Sequence, residues 1–132
     1  MLFRTYSDYC RTQFGMRAQK IPLDGGFGCP NRDGTLGREG CSFCNNQAFS
    51  PGCGQPGSPL EAQIDAGIRR CQGKYRGRCC YLAYLQSYSN TYAPLPVLRQ
   101  RYEELLAHPQ ISGLIIATRP DCINEEKLDY IA

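Results

Sequence analysis

Three cysteines share one glycine-rich stretch, CPNRDGTLGREGCSFC, at Cys29, Cys41 and Cys44, a spacing of C-x11-C-x2-C. A disulfide uses two thiols. A structural zinc site uses four ligands, and C-x2-C is a common half of one. On spacing alone, Cys29, Cys41, Cys44 and Cys53 form the default zinc set. The chemistry with a use for three thiolates is a 4Fe–4S cluster held at three irons, since electron-transfer clusters take four cysteines. The fourth iron is then open, and an open iron serves a purpose only if a substrate or cofactor binds it. Metal-free structural cysteines suit this stretch poorly, because glycine-rich loops offer little apolar cover.

The bulk composition sets the frame. A chain of 132 residues, 42% hydrophobic and 20% charged, is one domain's worth of ordinary globular protein. Its net charge of +3 permits an RNA or phosphate partner without pointing to one. No run has the length of a membrane span, and MLFRTYSDYCRTQFG lacks the regions of a signal peptide. Nine cysteines, an odd and unevenly spaced set, do not suit a secreted disulfide scaffold. The expectation is a reduced, cytoplasmic protein without membrane contact, in which Cys71, Cys79 and Cys80 act as small hydrophobes.

The elements that must position the cysteines follow from periodicity. A short helix is expected over 6–14, with Tyr6, Tyr9, Cys10 and Phe14, and a strand over 18–24, where Pro22 costs a ladder hydrogen bond. Residues 25–57 form a long loop, of the kind that is usually functional or disordered. Ser58-Pro59-Leu60-Glu61 reads as a capping box opening a helix with Leu60, Ile64, Ile68 and Cys71 on one face, ending near Gly73 or Gly77. CCYLAYLQSY reads as a buried strand. APLP opens a second helix with Leu98, Tyr102, Leu105 and Leu106 inward. Residues 111–118 form a third apolar strand, and Asn124 caps a helix that begins to bury Leu128 and Ile131. Apolar strands alternating with amphipathic helices predict a parallel α/β sheet, whose functional loops gather at the strands' C-terminal ends. The cysteine loop, Ser89–Tyr92 and Arg119–Asp121 then meet at one end. A three-stranded parallel sheet leaves an exposed edge, which suggests the N-terminal piece of a longer (βα) barrel.

The segments KIPLDGGFGCPNRDGT, GCSFCNNQAFSP, YLQSYSNTYAP and IATRPDCI together resemble the radical S-adenosylmethionine superfamily. More closely, they are similar to its YhcC/YtqA-type branch, with elongator-like cluster spacing. The likeness runs from about Tyr6 to the end, and its first cysteine gap is longer than the superfamily's commonest C-x3-C-x2-C. It implies that residues 1–132 are the N-terminal part of a radical S-adenosylmethionine domain, a partial (βα)6 barrel like that of triosephosphate isomerase. It also implies a 4Fe–4S cluster on Cys29, Cys41 and Cys44, and S-adenosylmethionine as cofactor, with Asn90 and Arg119 near its methionine end. A reductant such as flavodoxin or ferredoxin is implied, and the branch resembles enzymes acting on the wobble uridine of tRNA. The competing class is a zinc-binding or nucleic-acid-binding module without catalysis.

Other residues carry two readings. Gly25, Gly26 and Gly28 could bring backbone N–H groups to a cluster or simply make turns. Asn31, Arg32 and Asp33 are expected to brace the loop through Asx-type turns. Gln86, Ser87, Asn90 and Thr91 stand where many superfamily members carry Gly-Gly-Glu, and this sequence has none there. Arg119 and Asp121 could orient a carboxylate or pair with each other. His108, the single histidine, reads as a surface residue complementing a helix dipole. The nine tyrosines are scattered along the chain, which predicts packing rather than a stacking platform.

Overall fold

The computed structural model describes residues 2–45 and 57–132. Three strands, β1 (Arg17–Leu23), β2 (Cys79–Leu85) and β3 (Ile111–Ile116), form a parallel sheet in the order β1-β2-β3. The helices are α1 (Tyr6–Phe14), α2 (Leu60–Lys74), α3 (Leu95–Ala107) and α4 (Glu125–Ile131), with a short 3-10 turn at Pro120–Cys122. The fold is therefore α/β with helical crossovers.

The register assigns the faces. Ile21 pairs with Ala83 and Leu23 with Leu85, so these four side chains share one face, and all are buried. Leu60, Ile64 and Ile68 of α2 and Leu98, Tyr102 and Leu105 of α3 cover that face. The close fit of α2 depends on Gly67, because a Cβ there would overlap the Ile21 side chain. On the opposite face, Lys20 and Tyr84 stand together, and the Lys20 ammonium lies 4.6 Å from the Tyr6 ring of α1. Pro22 is accommodated because β1 is an edge strand, where a missing N–H need not break a ladder. Between β2 and β3 the register slips at Ser112, with Tyr81 opposite Ile111 and Leu82 opposite Gly113.

Several expectations are corrected. The Ser58 side chain does not cap α2; the N-cap is Pro59, and the Ser58 carbonyl accepts from Gln63 Nε2 at 2.9 Å. Leu106, Leu128 and Ile131 are not inward but exposed. The reason is that α4 meets the body through Tyr130, whose ring stacks on Tyr102 at 6.4 Å, leaving its leucine and isoleucine outside. His108 is not a surface residue: its side chain is 8% exposed, with Nε2 3.2 Å from Asp65 Oδ1, and Nδ1 accepts from the Gln110 N–H. Asn124 does cap α4, its Oδ1 accepting from the Lys127 N–H at 2.9 Å. Cys53 and the end of the second resembling segment lie outside the described residues. Among the described residues no helix is long and apolar enough to cross a membrane.

Replacing a helical glycine by alanine ordinarily stabilises by roughly 0.4–1 kcal/mol. At Gly67 the overlap with Ile21 should win, since overpacking a core costs about 1–3 kcal/mol. Gly67→Ala should therefore lower the urea midpoint, whereas Gly73→Ala, with open space around it, should not. A raised midpoint for Gly67→Ala would contradict the packing described.

Candidate functional site

The loop after β1 builds its own structure. The Cys29 carbonyl accepts from the N–H groups of Arg32 and Asp33, and the Pro30 carbonyl accepts from Leu36 and Gly37. The Asn31 carbonyl then accepts from Gly40 at 2.9 Å, and the Cys41 carbonyl from Cys44 at 2.9 Å. Gly40 takes φ 76°, a left-handed conformation that glycine adopts without strain, and a Cβ there would strike the Arg32 guanidinium. The eleven-residue spacer thus folds back on itself and returns Cys41 towards Cys29.

The loop is tied to the sheet at several points. The Gly28 carbonyl accepts from the Ser89 N–H at 3.0 Å. The Tyr92 hydroxyl donates to Asp33 Oδ2 at 2.7 Å and lies 3.1 Å from the Thr35 hydroxyl. Asp33 also makes the expected Asx-type contact, accepting from the Thr35 N–H at 2.9 Å. Asn31 and Arg32 do something else. Asn31 Nδ2 donates to Cys41 Sγ at 3.1 Å, and Arg32 Nη2 donates to the Cys44 carbonyl at 3.4 Å. Gly26 makes a turn closed by its N–H on Asp24 Oδ1, and Gly25 backs against Phe27 and Leu85.

Cys29, Cys41 and Cys44 line one cavity of about 480 Å³, together with Arg32 and Phe43 of the same loop. Its other wall comes from the residues just past the strands: Gln86, Tyr88 and Ser89 after β2, and Ala117, Thr118 and Arg119 after β3. The three irregular segments expected to converge do so, at the C-terminal end of the sheet. The lining is mixed, with apolar surface from Phe43 and Tyr88 beside two guanidinium groups.

Of the two readings given to it, Arg119 shows the pairing with Asp121. It makes a two-pronged pair with Asp121, Nε to Oδ1 at 2.9 Å and Nη2 to Oδ2 at 2.7 Å, and its remaining Nη1 lies 3.6 Å from Cys29 Sγ. Asp121 first, and Cys29 after it, push the Arg119 pKa up, so the guanidinium is fixed as a cation. Hydrogen bonding to Cys44 pushes Arg32 up likewise. Asn90 does not line the cavity. It is fully buried, and its Nδ2 donates to the carbonyls of Leu85 at 3.0 Å and Ala117 at 2.8 Å. Thr91, also buried, donates to the Cys122 carbonyl at 2.6 Å and meets the Thr118 hydroxyl.

Sequence reasoning passed over Tyr88 and Tyr92. Tyr88 sits at the cavity with φ 64°, the one non-glycine residue at positive φ among the described residues. Such a bulky residue in the left-handed region is held there by its surroundings. A tyrosine between two serines gives no signal of this. The loop-anchoring role of Tyr92 was equally silent, because its partner Asp33 lies 59 residues away.

Comparison with known proteins finds relatives along most of this chain. It is 40% identical over 131 residues to the uncharacterized protein YtqA of Bacillus subtilis, covering 98% of this chain and 40% of that protein. It is 40% identical over 119 residues to protein YhcC of Escherichia coli, covering 90% of this chain and 37% of that one. An archaeal relative, uncharacterized protein MJ0486 of Methanocaldococcus jannaschii, is 34% identical over 139 residues. The chain spans about two fifths of the length of these relatives. No family model matches it, and no solved structure does.

The Thr35 hydroxyl and amide, and then the Tyr92 hydroxyl, hold the Asp33 carboxyl below its ordinary value. A depressed carboxyl contributes stability above its unfolded pKa, about 3.9, and loses it as pH falls through the folded value. The loop should therefore stay anchored down to that range and loosen only below it. Tyr92→Phe should raise the Asp33 midpoint in an NMR carboxyl titration. An unchanged midpoint would mean that Tyr92 does not hold the loop.

Proposed function

We propose that this chain is the cluster-bearing part of a radical S-adenosylmethionine enzyme, with Cys29, Cys41 and Cys44 holding a 4Fe–4S cluster at three irons. The observation that carries the reading is the meeting of these three thiols in one cavity at the C-terminal end of a parallel sheet. Among the described residues no group of three His, Cys, Asp or Glu side chains is placed to hold a metal ion, so the cavity supports the reading by its lining and not by a ready ligand set. The hydrogen-bond donors also fit. Three thiolates on a 4Fe–4S core leave net negative charge, and Arg119 Nη1 and Asn31 Nδ2 already lie beside two of the sulfurs.

Cys29, Cys41 and Cys44 would hold the cluster, which would supply an open iron for S-adenosylmethionine and the electron for its reductive cleavage. The remaining work belongs to this chain. Arg119, fixed by Asp121, offers a cation towards a carboxylate. Gln86, Ser89 and Thr118 offer polar atoms for an amino group, in place of the missing Gly-Gly-Glu. A volume of about 480 Å³ is that of a small-molecule site. Asn90 supports these groups from behind by holding the strand ends. The barrel of which the sheet would be the first half, the cytoplasmic setting, a flavodoxin- or ferredoxin-like reductant and a tRNA wobble-uridine substrate all rest on the resemblance and belong to this proposal.

Anaerobic reconstitution with iron and sulfide should load about four irons per chain and give the brown absorbance of a cluster. Alanine at Cys29, Cys41 or Cys44 should abolish loading, and alanine at Cys71, Cys79 or Cys80 should leave it largely intact. Loading that also vanishes with Cys53→Ala would replace the open-iron site by a four-cysteine one. A colourless protein that takes up one zinc instead would overturn the reading.

A further inference from the structure

At the end of the sheet opposite the cysteine cavity, the structure gathers cations that the sequence spreads out. Between Arg69 and Arg78, RRCQGKYRGR, five of ten residues are basic and none is acidic. A helix dipole accounts for Lys74 in the last turn of α2. It does not account for Arg76 and Arg78, in the turn after the helix, or for Arg17, which opens β1 beside them. Arg17 pairs in register with Cys79, and its guanidinium lies 4.6 Å from the centre of the Tyr75 ring. Arg11, Arg17 and Lys20 line a cavity of about 570 Å³ between α1 and β1. Gln19 lines the same cavity, and its Nε2 is buried without an acceptor among the described residues. The acidic group seen at this end is Asp8, which Thr5 and Arg11 already engage.

The tyrosines here are not packed away. Tyr6, Tyr9 and Tyr75 are each close to half exposed. Each carries a cation on its ring, from Lys20, Arg4 and Arg17 respectively, at 4.6, 5.4 and 4.6 Å. A long basic side chain resting on a ring has less rotamer freedom to lose when an anion arrives. Flat aromatic faces beside ordered cations, with Asp8 the carboxylate among them and already engaged by Thr5 and Arg11, suit bases stacked on rings and phosphates held by charge.

We propose that the face formed by α1, the start of β1 and the turn between α2 and β2 binds the phosphodiester backbone of a nucleic acid, with bases stacking on its exposed tyrosines. An acidic redox protein is a poorer occupant. The seven residues of β2, at about 3.3 Å each, set this face roughly 20 Å from the cysteine cavity, the wrong end for a donor to anything bound there. The inference does not depend on the cluster.

The test uses the 132-residue chain under reducing conditions without added iron, so that it is separate from metal loading. Fluorescence anisotropy is measured with a labelled, unstructured RNA of about 16 nucleotides, the matching DNA, and phosphatidylserine vesicles. Nucleic acid should bind, more weakly as salt rises. The triple variant Arg17→Glu/Arg76→Glu/Arg78→Glu should weaken binding at least about tenfold and flatten the log-log salt slope by about 2, at roughly 0.7 per lost phosphate contact. Tyr75→Ala should weaken it about fivefold or more and leave the slope unchanged. Arg99→Glu, on α3 beside Tyr130, is the control and should bind as the parent does. Should the triple variant melt early, Arg76→Gln/Arg78→Gln, confined to the turn, replaces it. RNA bound more tightly than DNA would add contacts to the 2′-hydroxyl, and equal binding would assign recognition to backbone and stacking. No binding at low salt, equal binding by the charge-reversed chain, or binding to vesicles alone would overturn the proposal.

Discussion

The interaction on which the site depends is the buried amide of Asn90. Where a parallel sheet stops, its last carbonyls lose their ladder partners, and a buried orphan costs about 1–3 kcal/mol. Asn90 Nδ2 donates to the carbonyl of Leu85 at the end of β2 and to that of Ala117 just past β3. Its backbone N–H reaches Ala117 as well, and its own carbonyl accepts from the Tyr102 hydroxyl of α3 at 2.5 Å. One residue thereby fixes the spacing of two strand exits and ties them to a helix. An aspartate has no donors to replace that amide, and a leucine would leave the Leu85 carbonyl only the Ala117 N–H and the Ala117 carbonyl only the backbone N–H of residue 90. The Asn90 Oδ1 has no partner among the described residues, a cost the donated bonds must exceed.

From that clamp the cavity follows. Gln86 and Thr118 leave the sheet at set positions, and Gly28 is joined to the same region through Ser89. The cysteine loop can then be long without being loose. Its turns satisfy much of their own backbone, and Tyr92 ties its outer part, through Asp33 and Thr35, to the segment after β2. Spacing in sequence is a poor guide to spacing in such a loop. Eleven residues between Cys29 and Cys41 are spent on closed turns, so the two thiols share a wall that the bare count would not suggest.

What was legible in the sequence is what periodicity controls. The three strands and four helices lie within a few residues of their expected places because alternating apolar runs and amphipathic faces leave few other ways to bury Ile21, Ala83 or Leu98. Convergence of the three loops follows from parallel topology alone. The failures share a cause, which is that each needed a partner distant in the chain. Leu128 and Ile131 carry the right period, but contact passes through Tyr130 instead. His108 looks like a surface cap until Asp65, 43 residues earlier, is brought to its ring. Ser58-Pro59 has the letters of a capping box, while Gln63 takes the Ser58 carbonyl and bridges to Asp24 at the end of β1. The backbone strain at Tyr88 has no sequence signature at all.

Charge was the least legible property, and the reason is geometric. A net charge of +3 describes a nearly balanced protein. Folding distributes it unevenly. Glu61, Asp65, Glu103, Glu104, Glu125, Glu126 and Asp129 all fall on α2, α3 and α4, where Arg69, Arg70, Lys74, Arg99, Arg101 and Lys127 largely offset them. Arg4, Arg11, Arg17, Lys20, Lys74, Arg76 and Arg78 collect around α1 and the N-terminal ends of the strands, with Asp8 among them, and Arg32 and the Asp121-paired Arg119 line the cavity beyond the C-terminal ends. Because exposed charges are screened within about 8–10 Å in physiological salt, each region acts on its neighbours almost independently of the total. The cavity cations therefore act on the sulfurs within their reach. The cations at the far end act on whatever approaches that face. A parallel sheet is what keeps the two apart, since its strands all point the same way and give its two ends different loops, different charges and different chemistry.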